Sequence, residues 1–223
     1  MCGRFAFYSP AEATAALFGV KTDAELEPRY NVAPTQDIAA IRRSRDGELE
    51  LTTLHWGLVP FWAKDPSIGN RMINARAETV ADKPSFRNAF RKRRCLILAD
   101  GFYEWRKEGE GKTPYFISLD SGEPMAFAGL WEDWTDKESG ESLQSGTIVT
   151  TAAQGFMADL HGRMPVILVP DTAPRWFDDA GGLLENYAEA TPPLRAWPVS
   201  RRVNNPRNEG EELIEKAGDV LSG

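Results

Sequence analysis

The residue with the most chemistry to offer is Cys2, because of its place in Met1-Cys2-Gly3-Arg4-Phe5. Initiator Met is removed when the next residue is small, and a processed chain would begin with a cysteine carrying a free α-amine beside its thiol. In an unperturbed peptide the amine titrates at about 7.7 to 8.0 and the thiol at about 8.5, so both groups are nucleophiles near neutral pH. The amine can condense with an aldehyde to an imine. The thiol can then close on the imine carbon and give a five-membered thiazolidine. The plainer reading is an ordinary residue at a frayed terminus, and three residues further along weigh against it.

Glu104 is flanked by Tyr103 and Trp105 just after the apolar run Arg94–Ala99. It is either an outward residue on a sheet edge or an enclosed acid whose pKa is raised by desolvation, as proton transfer requires. His161 follows a helical pattern over 152–160 and precedes Gly162-Arg163. There it can work as an acid or base, or simply complement a helix dipole. Strand alternation through Met72, Asn74 and Arg76 places an amide and a guanidinium on one face. Phe61 and Trp62, adjacent aromatics beside Lys64, suit base stacking or a wedge at a duplex end. Trp56 reads as a core plug, His55 as structural and Cys95 as a buried inert thiol.

Several elements must position these groups. Ser9-Pro10-Ala11-Glu12 predicts a capping box opening a first helix that Gly19 stops. Apolar 38–41 and alternating 49–54 predict a hairpin across Asp46-Gly47. Arg94–Ala99 predicts a buried strand ending in 100–105, and 84–90 a short basic helix. Strands are expected at 113–119, 124–131, 143–151, 166–169 and 197–200, with a polar loop over 133–145. Gly162 takes the helix-stop position, 171–177 reads as a short helix capped by Asp171, and 211–221 as a weak terminal helix. Many short strands with few helices predict one α+β domain over 1–223 with a curved or barrel-like mixed sheet.

The 223 residues suffice for one domain with a substantial core. Two cysteines form no disulfide framework, which points to a reducing cytosol. Neither a cleavable leader nor a transmembrane-length apolar run is evident. No metal or cofactor is implied, since neither His nor Cys has ligand spacing. The net charge of −7 argues against nucleic acid only weakly, because binding follows the local field, and arginines cluster over 71–76 and 87–94.

Met1-Cys2-Gly3-Arg4-Phe5, Arg29-Tyr30-Asn31-Val32-Ala33-Pro34, Trp56-Gly57-Leu58-Val59-Pro60, Asn74-Ala75-Arg76-Ala77-Glu78-Thr79, Gly101-Phe102-Tyr103-Glu104-Trp105 and His161-Gly162-Arg163-Met164-Pro165 stand in this order. Together they closely resemble the SOS-response-associated peptidase family of abasic-site processing proteins, over about 1–208. The resemblance implies a single-domain monomer that binds single-stranded DNA, at junctions with duplex, and captures an abasic site as a covalent DNA-protein crosslink. It implies that Cys2 attacks, Asn74 positions the lesion, Glu104 moves protons and His161 assists opening of the sugar. Arg4 and Arg76 resemble the phosphate contacts, Pro34 and Trp62 stand near the strand junction, and Thr150 lines the pocket. Asn31 and Arg71 join them as expected DNA contacts. A cytoplasmic protein that joins the nucleoid on DNA is expected. Two other readings use the same residues: a cysteine peptidase or amidase with His161 as base and Asn74 as oxyanion donor, and a DNA-binding module in which Cys2 is incidental.

Overall fold

A computed structural model of the chain describes residues 2–222. Met1, whose removal would free the Cys2 amine, and Gly223 lie outside the described residues. In chain order the elements are β1 (Phe5–Phe7), α1 (Ala11–Leu17), β2 (Arg29–Val32), β3 (Asp37–Arg43), β4 (Leu49–Trp56), β5 (Asn74–Arg76), α2 (Arg87–Lys92), β6 (Arg94–Ala99), β7 (Gly101–Glu108) and β8 (Gly111–Leu119). There follow β9 (Met125–Thr135), β10 (Ser142–Ala152), α3 (Met157–Leu160), β11 (Arg163–Pro165), β12 (Ile167–Leu168), α4 (Ala173–Asp178), α5 (Ala180–Glu185), α6 (Tyr187–Ala190), β13 (Leu194–Pro198) and β14 (Leu221–Ser222).

Two sheets share the work. One runs β14-β13-β8-β7-β1-β2, and the other runs β11-β10-β4-β3-β6-β9-β12. In the second, β9 also pairs with β10 over seven residues, which closes β10, β4, β3, β6 and β9 into a five-stranded barrel. The barrel is mixed, since β10 runs parallel to β4 and to the short β5, while its other pairings are antiparallel. This is the α+β architecture expected from the sequence, and full closure leaves the barrel strands no free edge.

The sheets meet through aromatic rings. Phe5 of β1 packs edge-on against Trp56 at 5.2 Å and Phe127 at 5.7 Å, and Phe102 of β7 meets the same Phe127 at 5.9 Å. Each such pair contributes about 0.5–1.5 kcal/mol beyond the area it buries. The consequence is positional: Phe5 stands three residues after Cys2 and Phe102 two before Glu104, so one ring of β9 fixes both segments.

Several local expectations need correction. Ser9 does not cap α1, for its hydroxyl and the backbone N–H groups of Tyr8 and Ser9 all donate to the buried Asp100 carboxylate. Glu104 does not close a strand begun at Arg94, because the chain changes sheets at Asp100-Gly101 and a second strand follows. Gly101 is required there: a Cβ would collide with the Phe116 ring and the Ile117 carbonyl. Most of 133–145 is the arms of the β9–β10 hairpin, with only 136–141 left as a turn. Gly162 lacks the left-handed backbone of a helix stop, and His161 itself is extended. Thr172, not Asp171, stands at the start of α4. The 211–221 stretch holds only the 3-10 turn Glu211–Leu213 before β14. Among the described residues, no helix is long and apolar enough to cross a membrane.

Candidate active site at the amino terminus

Cys2 is fully buried, in the stretch that leads into β1. Its carbonyl accepts a hydrogen bond of 2.8 Å from Nδ2 of Asn74, and its Sγ lies 4.0 Å from the Arg4 carbonyl. Burial pushes the thiol well above its ordinary pKa, and the Glu104 carboxylate adds to the effect. The sulfur is therefore held as a thiol.

Alternation along β7 decides the question Glu104 posed. Phe102 and Glu104 point to the main core, whereas Tyr103 packs with Ala6, Phe116 and Trp197 in a separate small cluster on the other face. Glu104 is only 3% exposed, and burial raises its carboxyl pKa, opposed in part by His161. Its Oε1 lies 4.0 Å from Nδ1 of His161, which is reached by solvent on one side. An enclosed acid thus lies beside a half-exposed imidazole, two groups of the type that carry protons.

His161 is fixed from below. The Arg163 N–H donates to Nδ1 at 3.0 Å, and the same nitrogen is 3.0 Å from the Arg163 carbonyl. Nδ1 accepts from that N–H when the ring proton is on Nε2, and donates to the carbonyl when it carries the proton itself. The Arg163 side chain donates to both carboxylate oxygens of Glu78 and to the carbonyl and hydroxyl of Thr150. Thr150 is fully buried, and its hydroxyl donates weakly to the Ala75 carbonyl at 3.4 Å. Since β5 pairs with β10 in the register Asn74 to Ile148 and Arg76 to Thr150, this strut ties the Asn74 strand to the His161 turn. Neither Glu78 nor Arg163 stood out in the sequence as a site residue. Both lie inside the quoted motifs, but only the fold brings them together.

The expected DNA contacts fall into three groups. Arg4 Nη1 donates to Asn31 Oδ1 and to the Val203 carbonyl, each at 2.7 Å. Asn31 is fully buried and its Nδ2 donates to the carbonyls of Val203, Asn205 and Asn208. Enclosed in this way, Asn31 joins Arg4 to the 201–208 strap. Arg71 and Arg76 are exposed, Pro34 half-buried. Trp62 and Phe61 are 48% and 53% exposed, an unusual pair to leave in water. Trp62, Lys64 and Arg71 line one shallow groove, and the Trp134 indole N–H pins the loop through the Ala63 carbonyl. Of the second arginine run, Arg93 is used internally on the buried Glu132 and Arg94 on the Phe90 and Phe177 carbonyls, whereas Arg87 and Arg91 are exposed. Among the described residues, no group of three or more His, Cys, Asp or Glu could hold a metal ion.

Known proteins are similar to this chain over most of its length. The family "SOS response associated peptidase (SRAP)" matches residues 1–206. The Bacillus subtilis protein named abasic site processing protein YoqW is 42% identical over 96% of this chain and 99% of its own length. Escherichia coli abasic site processing protein YedK is 36% identical with the same coverage. A crystal structure of a protein from Bacteroides thetaiotaomicron superposes with a TM-score of 0.84 at 26% identity, over 97% of this chain and all of that one. With the family match running from the first residue through most of the strap that holds Arg4, the chain belongs to the SOS response associated peptidase family.

Proposed function

We propose that the chain binds single-stranded DNA and captures abasic sites through Cys2, once Met1 is removed, as a thiazolidine DNA-protein crosslink. The observation that carries this reading is the convergence of Cys2, Asn74, Glu104 and His161 from four distant segments on one enclosed point. The names of the relatives support the lesion as substrate.

An abasic deoxyribose is mainly a closed ring, so a proton must reach the ring oxygen before the aldehyde appears. A carboxyl whose burial favours its protonated form, beside an imidazole open to water, is suited to supply it. The Cys2 amine then attacks the aldehyde carbon, and the resulting hydroxyl leaves as water with a proton from Glu104. The thiol adds to the imine carbon and passes its proton to the nitrogen, closing the ring with a net loss of one water. Asn74 holds the Cys2 carbonyl and so the direction from which the amine approaches. Because no oxidant or metal enters, the steps reverse in the opposite order, and Glu104 serves release as well as capture.

A cysteine hydrolase needs a thiolate, and burial together with Glu104 drives the Cys2 thiol the other way. The two readings separate when the terminus is blocked. Acetylated or amino-terminally extended protein is expected to form no crosslink with an abasic-site oligonucleotide. Undiminished crosslinking by the blocked protein would show that the amine is not the attacking group.

A further inference from the structure

Among the described residues, Thr35 is the one non-glycine residue with a left-handed backbone, at φ +70°. It lies in Ala33-Pro34-Thr35-Gln36 between β2 and β3, where the Gln36 N–H donates to the Ala33 carbonyl at 3.3 Å. Pro at the second position and positive φ at the third are the pattern of a type II turn, whose third residue is normally Gly or Asn. A β-branched residue is among the least suited to that place.

The turn cannot relax. The Thr35 N–H donates to the Trp56 carbonyl and the Trp56 N–H to the Gln36 carbonyl, each at 2.9 Å. Gln36 Oε1 accepts from the Ala33 N–H at 2.9 Å and from Arg29 Nη2 at 2.7 Å. The Thr35 side chain meanwhile is exposed, and its hydroxyl has no hydrogen-bond partner among the described residues. Strain held by so many contacts, for a side chain that does nothing for the fold, is the kind that accumulates where a ligand is met. Trp56 also backs Phe5, so the turn is mounted on the ring that fixes the Cys2 strand.

We propose that Thr35 is a DNA contact: its hydroxyl donates a hydrogen bond to a backbone phosphate oxygen beside the abasic nucleotide. The inference rests on the DNA reading above. Phosphate and sugar take half to two-thirds of protein–DNA hydrogen bonds, and such a contact carries no base information. Being uncharged, the hydroxyl releases no counterion, so its loss weakens binding without changing the salt slope.

The test is Thr35→Gly and Thr35→Ser in the full chain, with dissociation constants for a single-stranded abasic oligonucleotide at several salt concentrations and a thermal melt for each variant. For Thr35→Gly the expected result is about five- to tenfold weaker binding at an unchanged salt slope, with a Tm equal to the wild type or up to about 4 °C higher. Thr35→Ser, which keeps the hydroxyl, should bind within about twofold of wild type. Binding by Thr35→Gly within twofold of wild type overturns the proposal, as does failure of Thr35→Ser to restore it. A Tm fall of more than about 4 °C in Thr35→Gly overturns it too, because the side chain would then be serving the fold. If the wild-type protein itself fails to bind, the DNA reading falls and takes this contact with it.

Discussion

Glu104 is the residue in which environment and chemistry are most tightly joined. A carboxyl ionised in water and enclosed here loses hydration on folding, so its protonated form is favoured and its pKa rises. The sign of the consequence follows. Below the ordinary carboxylate value of about 4.3 both folded and unfolded chains carry the proton and nothing is lost. Above it the unfolded chain releases its proton first, and stability falls as pH rises toward the raised folded value. Glu104→Gln should therefore raise Tm relative to wild type at pH 7 and make little difference at pH 4, as paired thermal melts would show. The same substitution removes the proton carrier and should slow both crosslink formation and release by about 10²-fold or more. Unchanged rates in both directions would mean that the proton travels another way.

At the scale of elements, the 201–208 strap and the strands beneath it form one device. Asn31→Ala deletes the acceptor for Arg4 and the amide's hydrogen bonds to the strap; the Val203 carbonyl keeps Arg4 and the Asn205 carbonyl keeps the Asn208 N–H, but the half-buried Asn208 carbonyl loses its partner, at about 1 kcal/mol. Its expected effects are a lower Tm and faster amide exchange confined to 201–208; protection equal to wild type there would show the strap to be held by other means. Such couplings explain what the sequence could and could not show. The β6 limits were legible because Arg94–Ala99 is apolar after its first residue and bounded by charge, and the face shared by Asn74 and Arg76 followed from alternation alone. The inward aim of Glu104 was not, since alternation gives two faces and only the packed barrel decides which is covered. The hairpin arms within 133–145 are polar, and long-range pairing of β9 with β10, not propensity, makes them strands. Asn31 shows the same limit: its motif was visible, but its burial under a strap about 170 positions away was not.

For the molecule as a whole, a net charge of −7 has to be reconciled with a polyanionic substrate. Under the proposed reading, affinity would follow the local field at the site, and the cations expected there are Arg4, Arg71 and Arg76. Arg76→Ala should weaken oligonucleotide binding at low salt and reduce the slope of log K against log salt by about one. An unchanged slope would place Arg76 away from the phosphates. The barrel closes around a core shared with the six-stranded sheet, and Cys2 sits where the two meet, so its position is set by elements from both sheets. Intact-mass spectrometry of Met1-processed protein mixed with an abasic-site oligonucleotide tests that arrangement most directly. The account predicts a species equal to protein plus oligonucleotide minus one water, absent from Cys2→Ala. Unmodified protein and oligonucleotide, with Cys2 confirmed as the free amino terminus, would contradict it.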